Sequence, residues 1–197
     1  MIPKKQIRAV YDDKTIRVYQ AYSNPIADAA LAAQTFVAPP FKMERMTWIK
    51  PSFLWMMYRA GYGFKDDGQK RILAIDLTHQ GFAWALDHSC GSRAPDGLGA
   101  DEWKAMKATH PVRIQWDPER NLNLAPLDHR SIQIGLSGEA VKRYTKDWIV
   151  CITDITDIAH EISELVDAGE LKAAKELCPV ESVYDQYDGV HTLGSEH

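Results

Sequence analysis

The stretch VRIQWDPERNLNLAPLDHRSIQIGL, residues 112–136, contains two predicted strands with no helix between them. Apolar and polar residues alternate through residues 112–116, as expected for a strand with one buried face. Residues 130–136 form the second predicted strand. The intervening residues 117–129 are rich in Asp, Asn and Pro, which predicts a long turn. Two successive strands break the strict alternation of strands and helices that a doubly wound sheet requires.

Hydrophobic periodicity along the chain predicts about six strands and five or six helices in mixed order. Further strands are predicted at residues 15–22, 71–77 and 148–156, and helices at residues 25–36, 51–61, 101–108, 137–146 and 157–169. Residues 78–89 fit a helix capped by Thr78, but their alternating apolar residues also fit a strand. This mixture predicts a single α+β domain over residues 1–180, with a mixed or mostly antiparallel sheet packed by helices. We expect a less ordered C-terminal tail over residues 181–197.

The composition is that of an ordinary globular domain. The chain has 197 residues, of which 45% are hydrophobic. Its formal charge of -4 argues against a basic nucleic-acid-binding protein of the usual kind. Cys90, Cys151 and Cys178 show no CxxC spacing, which favours reduced thiols in a cytoplasm. No apolar run approaches the roughly 20 residues of a membrane span, and no signal peptide is evident. We therefore expect a cytoplasmic protein with no membrane partner. The sequence leaves its oligomeric state open.

Common catalytic motifs are missing from the sequence. There is no GxGxxG, GxxxxGK[ST], GxSxG or HExxH. No histidine pairs with another ligand at metal-binding spacing, so we expect no metal. The sequence does show a local excess of positive charge. Four residues between 42 and 59 are positive and one is negative: Lys42, Arg45, Lys50 and Arg59 against Glu44.

Two of these cations, Lys50 and Arg59, lie in MTWIKPSFLWMMYRAGYG, residues 46–63. Proline is tolerated in the first turn of a helix and glycine suits its end, so a helix should run from Pro51 to Gly61. Its free N–H groups, with Lys50 and Ser52 beside them, make a candidate phosphate site. The alternative is an ordinary helix start with a solvated lysine. Four apolar residues should face the core: Phe53, Leu54, Met57 and Tyr58.

Arg17 and Tyr19 share one face of the predicted 15–22 strand. They form either an exposed pair or a platform on which a planar ring stacks.

The 112–136 stretch supplies further candidates. Arg113 and Gln115 project from the same face of the first strand. A carboxylate after that strand, Asp117 or Glu119, is placed to act as a general base or to hold a ribose hydroxyl. The alternative is a type I turn built on Asp-Pro with an Arg–Glu surface pair. In the second strand Gln133 shares a face with Gly135, and the glycine would allow a ligand to approach the backbone or would relieve a bend.

Several unusual stretches resemble, in order, the family catalogued as domain of unknown function 4291: QIRAVYDDKTIRVYQAY, MTWIKPSFLWMMYRAGYG, VRIQWDPER, RSIQIGLSGEAVKRY and DWIVCITDIT. The resemblance covers the chain from about Lys5 to Pro179. It implies membership of that family but no particular reaction and no set of catalytic residues.

A weaker similarity connects the chain to ADP-ribosyltransferases. These are small α+β proteins that bind NAD with an early arginine or histidine, aromatic residues and a late glutamate. Arg17, Tyr19 and Glu119 are the nearest counterparts. The chain departs from that pattern because no E-x-E or Q-x-E falls on a late strand, and Glu161 and Glu164 lie in a predicted helix.

These candidates lead to the hypothesis of an enzyme that acts on NAD or another nucleotide, by group transfer of the ADP-ribosyl type. Phosphates would be neutralised by three cations: Arg17, Lys50 and Arg59. Rings would stack on three aromatic residues: Tyr19, Trp48 and Trp55. Glu119 or Asp117 would orient a ribose hydroxyl, while Ser52, Arg113 and Gln133 would bind the cofactor. Two alternatives are a single-stranded RNA-binding module that uses the 42–59 patch and a non-enzymatic interaction domain.

Overall fold

Strands from all parts of the chain form three sheets in the structure, a computed structural model that describes residues 3–187. The strands are β1 (Arg8–Ala9), β2 (Thr15–Tyr22), β3 (Thr47–Ile49), β4 (Arg71–Thr78), β5 (Ser89–Gly91), β6 (Val112–Arg120), β7 (Pro126–Leu136), β8 (Ile149–Asp154) and β9 (Ser182–Val183). The α-helices are α1 (Asn24–Ala33), α2 (Phe53–Ala60), α3 (His79–Asp87), α4 (Ala100–Thr109), α5 (Glu139–Arg143), α6 (Thr156–Asp167) and α7 (Leu171–Leu177). Short 3₁₀ turns span Gly61–Gly63 and Asp67–Gln69, and a π-helical turn spans Tyr144–Trp148.

The sheet topology confirms the predicted α+β class. Strands β2, β4 and β8 form an antiparallel sheet with β4 in the centre. A second sheet has the order β3-β7-β6-β5 and is mixed, because β5 runs parallel to β6 while the other pairs are antiparallel. Strands β1 and β9 form a small antiparallel pair. Helices pack on these sheets around a core of fully buried Ile, Leu, Val and Phe side chains.

A backbone hydrogen bond joins the two larger sheets near the end of β3. The Tyr19 N–H in β2 donates a 2.8 Å hydrogen bond to the Lys50 carbonyl, which lies just after β3. Since β3 also pairs with β7, Lys50 lies where the two sheets meet.

The β6–β7 hairpin corrects the turn predicted from the 112–136 stretch. Strand β6 continues to Arg120 and β7 begins at Pro126, so the connection covers only residues 121–125. The predicted turn at residues 117–129 was therefore too long. Pro118 is tolerated within the strand because the pairing register shifts next to it, and an irregularity of this kind accommodates a residue without an N–H.

Helix α2 begins two residues later than predicted, and it buries Phe53 and Met57 as predicted but not Tyr58. Ser52 is its N-cap, with Oγ accepting a hydrogen bond from the Trp55 N–H at 3.1 Å, and Gly61 ends it in the left-handed conformation. Tyr58 is 40% exposed, so its predicted core position is wrong. Trp55 is buried instead, because α2 packs against both β2 and β6 and so covers more than one face.

Residues 78–89 contain helix α3, which Thr78 caps as predicted by accepting a hydrogen bond from the Gly81 N–H. The strand alternative is therefore wrong for residues 79–87. The helix predicted at residues 137–146 is shorter than expected, because the chain passes at Tyr144 into the π-helical turn.

The first part of the predicted C-terminal tail is packed on the domain. Residues 182–183 form β9, and Tyr184 is 2% exposed. The tail prediction is therefore wrong for residues 181–187, because this segment supplies both a strand and a core side chain. The remainder of the predicted tail, residues 188–197, lies outside the described residues. Within residues 3–187 no helix has the length and apolarity needed to cross a membrane.

Candidate functional site

A cavity of about 730 Å³ opens beside the junction of the two larger sheets. The end of β2, strand β3, helix α2 and the facing strands β6 and β7 all contribute to its walls. We call it the basic cleft, after the four cations in its lining: Lys42, Arg45, Lys50 and Arg59. These are the four positive residues of the 42–59 patch, so the fold gathers the charge excess noted in the sequence around one cavity.

The charge of the basic cleft is poorly compensated from within the protein. Asp66 is the one carboxylate in the described lining, and Glu44, the acidic residue of the patch, is not part of it. None of the four cations forms an ion pair with a residue between 3 and 187. Such an excess of unpaired positive charge favours an anionic ligand.

Lys50 is the buried cation of the basic cleft. Its side chain is 6% exposed, and Nζ donates a 3.2 Å hydrogen bond to the Trp48 carbonyl. Nζ also lies 5.6 Å from the centre of the Trp55 ring. Burial, with a smaller contribution from the neighbouring Arg59 and partial opposition from Asp117, lowers the pKa of Lys50 from 10.5 to about 7. The amine is therefore partly neutral near pH 7.

Two glutamines form a polar wall of the basic cleft. Gln115 in β6 and Gln133 in β7 are directly opposite each other in the hairpin, and both line the cavity. Each donates an amide N–H to Asp117, Gln115 at 2.9 Å and Gln133 at 2.5 Å. These bonds fix the two amides and leave their carbonyl oxygens as acceptors for ligand groups.

Trp48 takes the space that the sequence assigned to a ligand above Gly135. A Cβ atom on Gly135 would lie 2.8 Å from Met46 Sδ and 2.9 Å from Trp48 Cζ2. The glycine thus allows two protein side chains to approach the β7 backbone. The predicted close approach is present, but Met46 and Trp48 make it.

The start of helix α2 holds two carboxylates of the protein itself, which we call the α2 carboxylate pair: Glu119 and Glu181. The Phe53 N–H donates a 2.7 Å hydrogen bond to Glu181 Oε1, and the Ser52 hydroxyl donates a 2.8 Å bond to Glu119 Oε1. Burial raises the pKa of Glu181 from 4.5 to about 8, with a further contribution from Glu119, and burial also raises the pKa of Glu119.

This arrangement corrects the phosphate site predicted at the helix start. The N–H groups of Phe53 and Trp55 are already bonded to Glu181 and to Ser52, respectively. An external anion at this point would also meet the α2 carboxylate pair. The N–H groups at the helix start are therefore satisfied by groups of the protein itself. The unpaired positive charge lies instead in the neighbouring basic cleft.

Three other predicted residues are occupied by contacts outside the cleft lining. Arg17 forms a two-point ion pair with Asp76, at 2.7 Å and 2.9 Å. Tyr19 is 1% exposed and packs edge-on against Phe53, because α2 covers that face of β2. Arg113 turns away to backbone carbonyls at the end of α4 and the start of β6. The prediction of a stacking platform at Arg17 and Tyr19 is wrong, because Arg17 is paired with Asp76 and Tyr19 is buried under α2.

The predicted site residues therefore divide into two sets. One set lines the basic cleft: Trp48, Lys50, Trp55, Arg59 and Gln133. The other set lies outside the described lining: Arg17, Tyr19, Ser52, Arg113 and Glu119. Sequence reasoning also missed Glu181, which lies 128 residues from Phe53 along the chain and has no local pattern to mark it.

Within residues 3–187 no group of three or more His, Cys, Asp or Glu side chains is placed to hold a metal ion.

A family model described as "Domain of unknown function (DUF4291)" matches residues 6–184. No curated protein matches the chain.

Proposed function

Because this chain belongs to the DUF4291 family, a domain of unknown function, its activity has to be inferred from its own residues, and we propose that it is an enzyme acting on a nucleotide-like ligand in the basic cleft. The observation that carries the proposal is the set of four cations around one cavity with no ion-pair partner among residues 3–187. One or more phosphate groups would neutralise that charge.

The remaining walls favour a ligand that also carries a planar ring. Trp48 and Trp55 supply aromatic faces, and the carbonyl oxygens of Gln115 and Gln133 supply acceptors for base or ribose groups. A volume of about 730 Å³ falls within the range of roughly 300–1,000 Å³ typical of small-molecule and cofactor sites.

The most specific form of the proposal is ADP-ribosyl transfer from NAD. Arg17 and Glu119 no longer support it, because neither lines the basic cleft. Asp117 is not part of the described lining either, but it accepts hydrogen bonds from both glutamines of the polar wall, Gln115 and Gln133. Asp117 then acts as a positioning residue through Gln115 and Gln133.

Thermal unfolding with a panel of NAD, ATP and mononucleotides tests the proposal. A ligand that binds the native state raises the apparent stability, so at least one member should raise Tm at millimolar concentration. The variants Arg59→Gln and Arg45→Gln should reduce that shift. Lys172→Gln, which removes an exposed charge on α7 outside the cleft lining, should leave it unchanged. Absence of any shift across the panel would refute nucleotide binding.

Single-stranded RNA is the alternative ligand for the same cations and tryptophans. Oligonucleotide binding that weakens steeply with salt, is lost in Lys50→Glu and is not displaced by mononucleotides would favour it. If the chain is instead a non-enzymatic interaction domain, neither ligand class should bind. Cellular phenotypes should then be unchanged in three variants: Arg17→Ala, Lys50→Ala and Glu119→Ala.

A further inference from the structure

Lys50 differs from every other lysine between residues 3 and 187 because its side chain is buried. It also lines the basic cleft, so the amine is shielded from bulk water yet accessible to a ligand. The backbone around it is fixed, since its carbonyl accepts the 2.8 Å hydrogen bond that joins β2 to the end of β3. A rigidly placed amine at the wall of a cavity has the geometry of a nucleophile.

The contacts of Nζ leave its electron pair available. A backbone carbonyl, that of Trp48, accepts its hydrogen bond, and Lys50 forms no ion pair with a residue between 3 and 187. Arg59 lines the same cavity, and its positive charge disfavours the protonated form of Lys50. A buried amine beside another cation is the arrangement that activates lysine for attack on carbonyl groups.

We propose that Lys50 forms an imine with an aldehyde or ketone group of the anionic ligand that the basic cleft binds. This inference rests on the proposed function and narrows its ligand to a phosphate-bearing carbonyl compound. Nζ would attack the carbonyl carbon to give a carbinolamine. The carbonyl oxygen then leaves as water with the two amine hydrogens, and a C=N bond remains. The step needs no oxidant or reductant.

The surroundings of Lys50 fit both parts of such a ligand. Arg45, Arg59 and Lys42 would hold the phosphate while the carbonyl carbon meets Nζ. The Trp55 ring, 5.6 Å from Nζ, would stabilise the positive charge of the protonated imine.

Reductive trapping with pyridoxal 5′-phosphate tests the proposal in the full-length chain. This probe carries an aldehyde, a phosphate and an aromatic ring, and cyanoborohydride converts its imine into a stable adduct that peptide mapping locates. At pH 7 an ordinary lysine is neutral in about one part in 2,500, so Lys50 should be labelled at least about tenfold faster than Lys172. Lys42 is the matched control within the cleft, because it lines the same cavity but is exposed.

Preferential labelling of Lys50 that Lys50→Arg abolishes is the expected result. Labelling spread evenly over Lys42, Lys172 and Lys50 would overturn the proposal, and mapping of the unmodified chain gives this answer even if the variant does not fold. If pyridoxal without phosphate labels Lys50 equally fast, the phosphate-bearing ligand class is overturned.

A second probe separates the imine from the proposed function. Pyridoxine 5′-phosphate keeps the ring and the phosphate but has no carbonyl group. If this compound or a nucleotide raises Tm while Lys50 stays unlabelled by the aldehyde, anion binding holds and the imine proposal fails. If neither raises Tm and neither protects Lys50 from labelling, the proposed function itself fails.

Discussion

Lys50 and Ser52 lie on either side of Pro51 and yet belong to opposite electrostatic surroundings. Lys50 borders the basic cleft, where four cations gather around one cavity. Ser52 donates to Glu119 at the start of α2, next to the Glu181 carboxylate that caps the same helix. The free N–H groups at the start of the helix are therefore bonded from inside the protein, whereas the cations of the cleft have no ion-pair partner among residues 3–187. An external anion is expected in the cleft and not at the helix start.

The strongest expected contrast between these two regions is in the pH dependence of stability. The raised pKa of Glu181 means that the folded state binds more protons than the unfolded state between about pH 4.5 and 8, so Glu181 makes stability fall with rising pH there. The lowered pKa of Lys50 means that the folded state binds fewer protons between about pH 7 and 10.5, so Lys50 makes stability rise with pH there.

In urea unfolding from pH 5 to pH 9, these two residues should therefore contribute slopes of opposite sign on the two sides of neutral pH, each limited to about 1.4 kcal/mol per pH unit for one proton. Glu181→Gln should flatten the fall, and Lys50→Met should flatten the rise. If either variant keeps the slope of the unmodified chain, the environment assigned to that residue is wrong.

Local sequence patterns predicted the elements of the fold better than the site. The strand at residues 15–22 and the Thr78-capped helix follow from short-range periodicity and capping, and both are confirmed. The charge excess of the 42–59 patch is also visible in the sequence, because all four cations come from one stretch, although the cavity that they line was not predicted. Local signals sufficed in these cases because each feature is formed by neighbours along the chain.

Long-range contacts explain most of the failures. The strand pattern predicts that Arg17 is accessible to a ligand. Asp76 lies opposite it on β4, however, and forms an ion pair with it. The strand pattern places Tyr19 on an open face of β2, but helix α2 covers that face. The sequence predicts a tail at Glu181, although its carboxylate accepts a hydrogen bond from Phe53, which lies 128 residues away in α2. None of these partners is adjacent in sequence, so periodicity carried no information about them.

Removal of the cap at the start of α2 should have the next largest effect. Glu181→Ala leaves the Phe53 N–H without its acceptor, and loss of a helix cap costs about 1–2 kcal/mol. Glu181→Gln retains an acceptor oxygen and should cost less. Urea unfolding at pH 6 measures both. Glu176→Ala on the exposed surface of α7 is the control, with almost no expected change. Equal stability of Glu181→Ala and Glu176→Ala would exclude the capping role.

Substitution of Lys50 in the basic cleft should change the free energy of unfolding in the opposite direction. Lys50→Met keeps the aliphatic stem but removes a buried charge without an ion-pair partner among residues 3–187, so it should raise the free energy of unfolding by about 1 kcal/mol at pH 6. The same variant should lose the Tm shift given by a phosphate-bearing ligand. Lys172→Met, which alters an exposed lysine, should change neither quantity. A destabilised Lys50→Met protein would show that the ammonium is satisfied in the folded chain.

The smallest expected effect is that of Arg17→Met on ligand binding. Arg17 is held by two hydrogen bonds to Asp76 and does not line the basic cleft, so its loss should leave the dissociation constant of any cleft ligand unchanged. Stability should fall by about 1 kcal/mol or less, because the ion pair is partly exposed to solvent. Arg59→Gln is the matched comparison, since it removes one guanidinium charge from the lining itself and should weaken binding. Isothermal titration of both variants measures the difference. A similar loss of affinity in the two would mean that Arg17 leaves Asp76 to reach the ligand, and the anion site would then extend across β2.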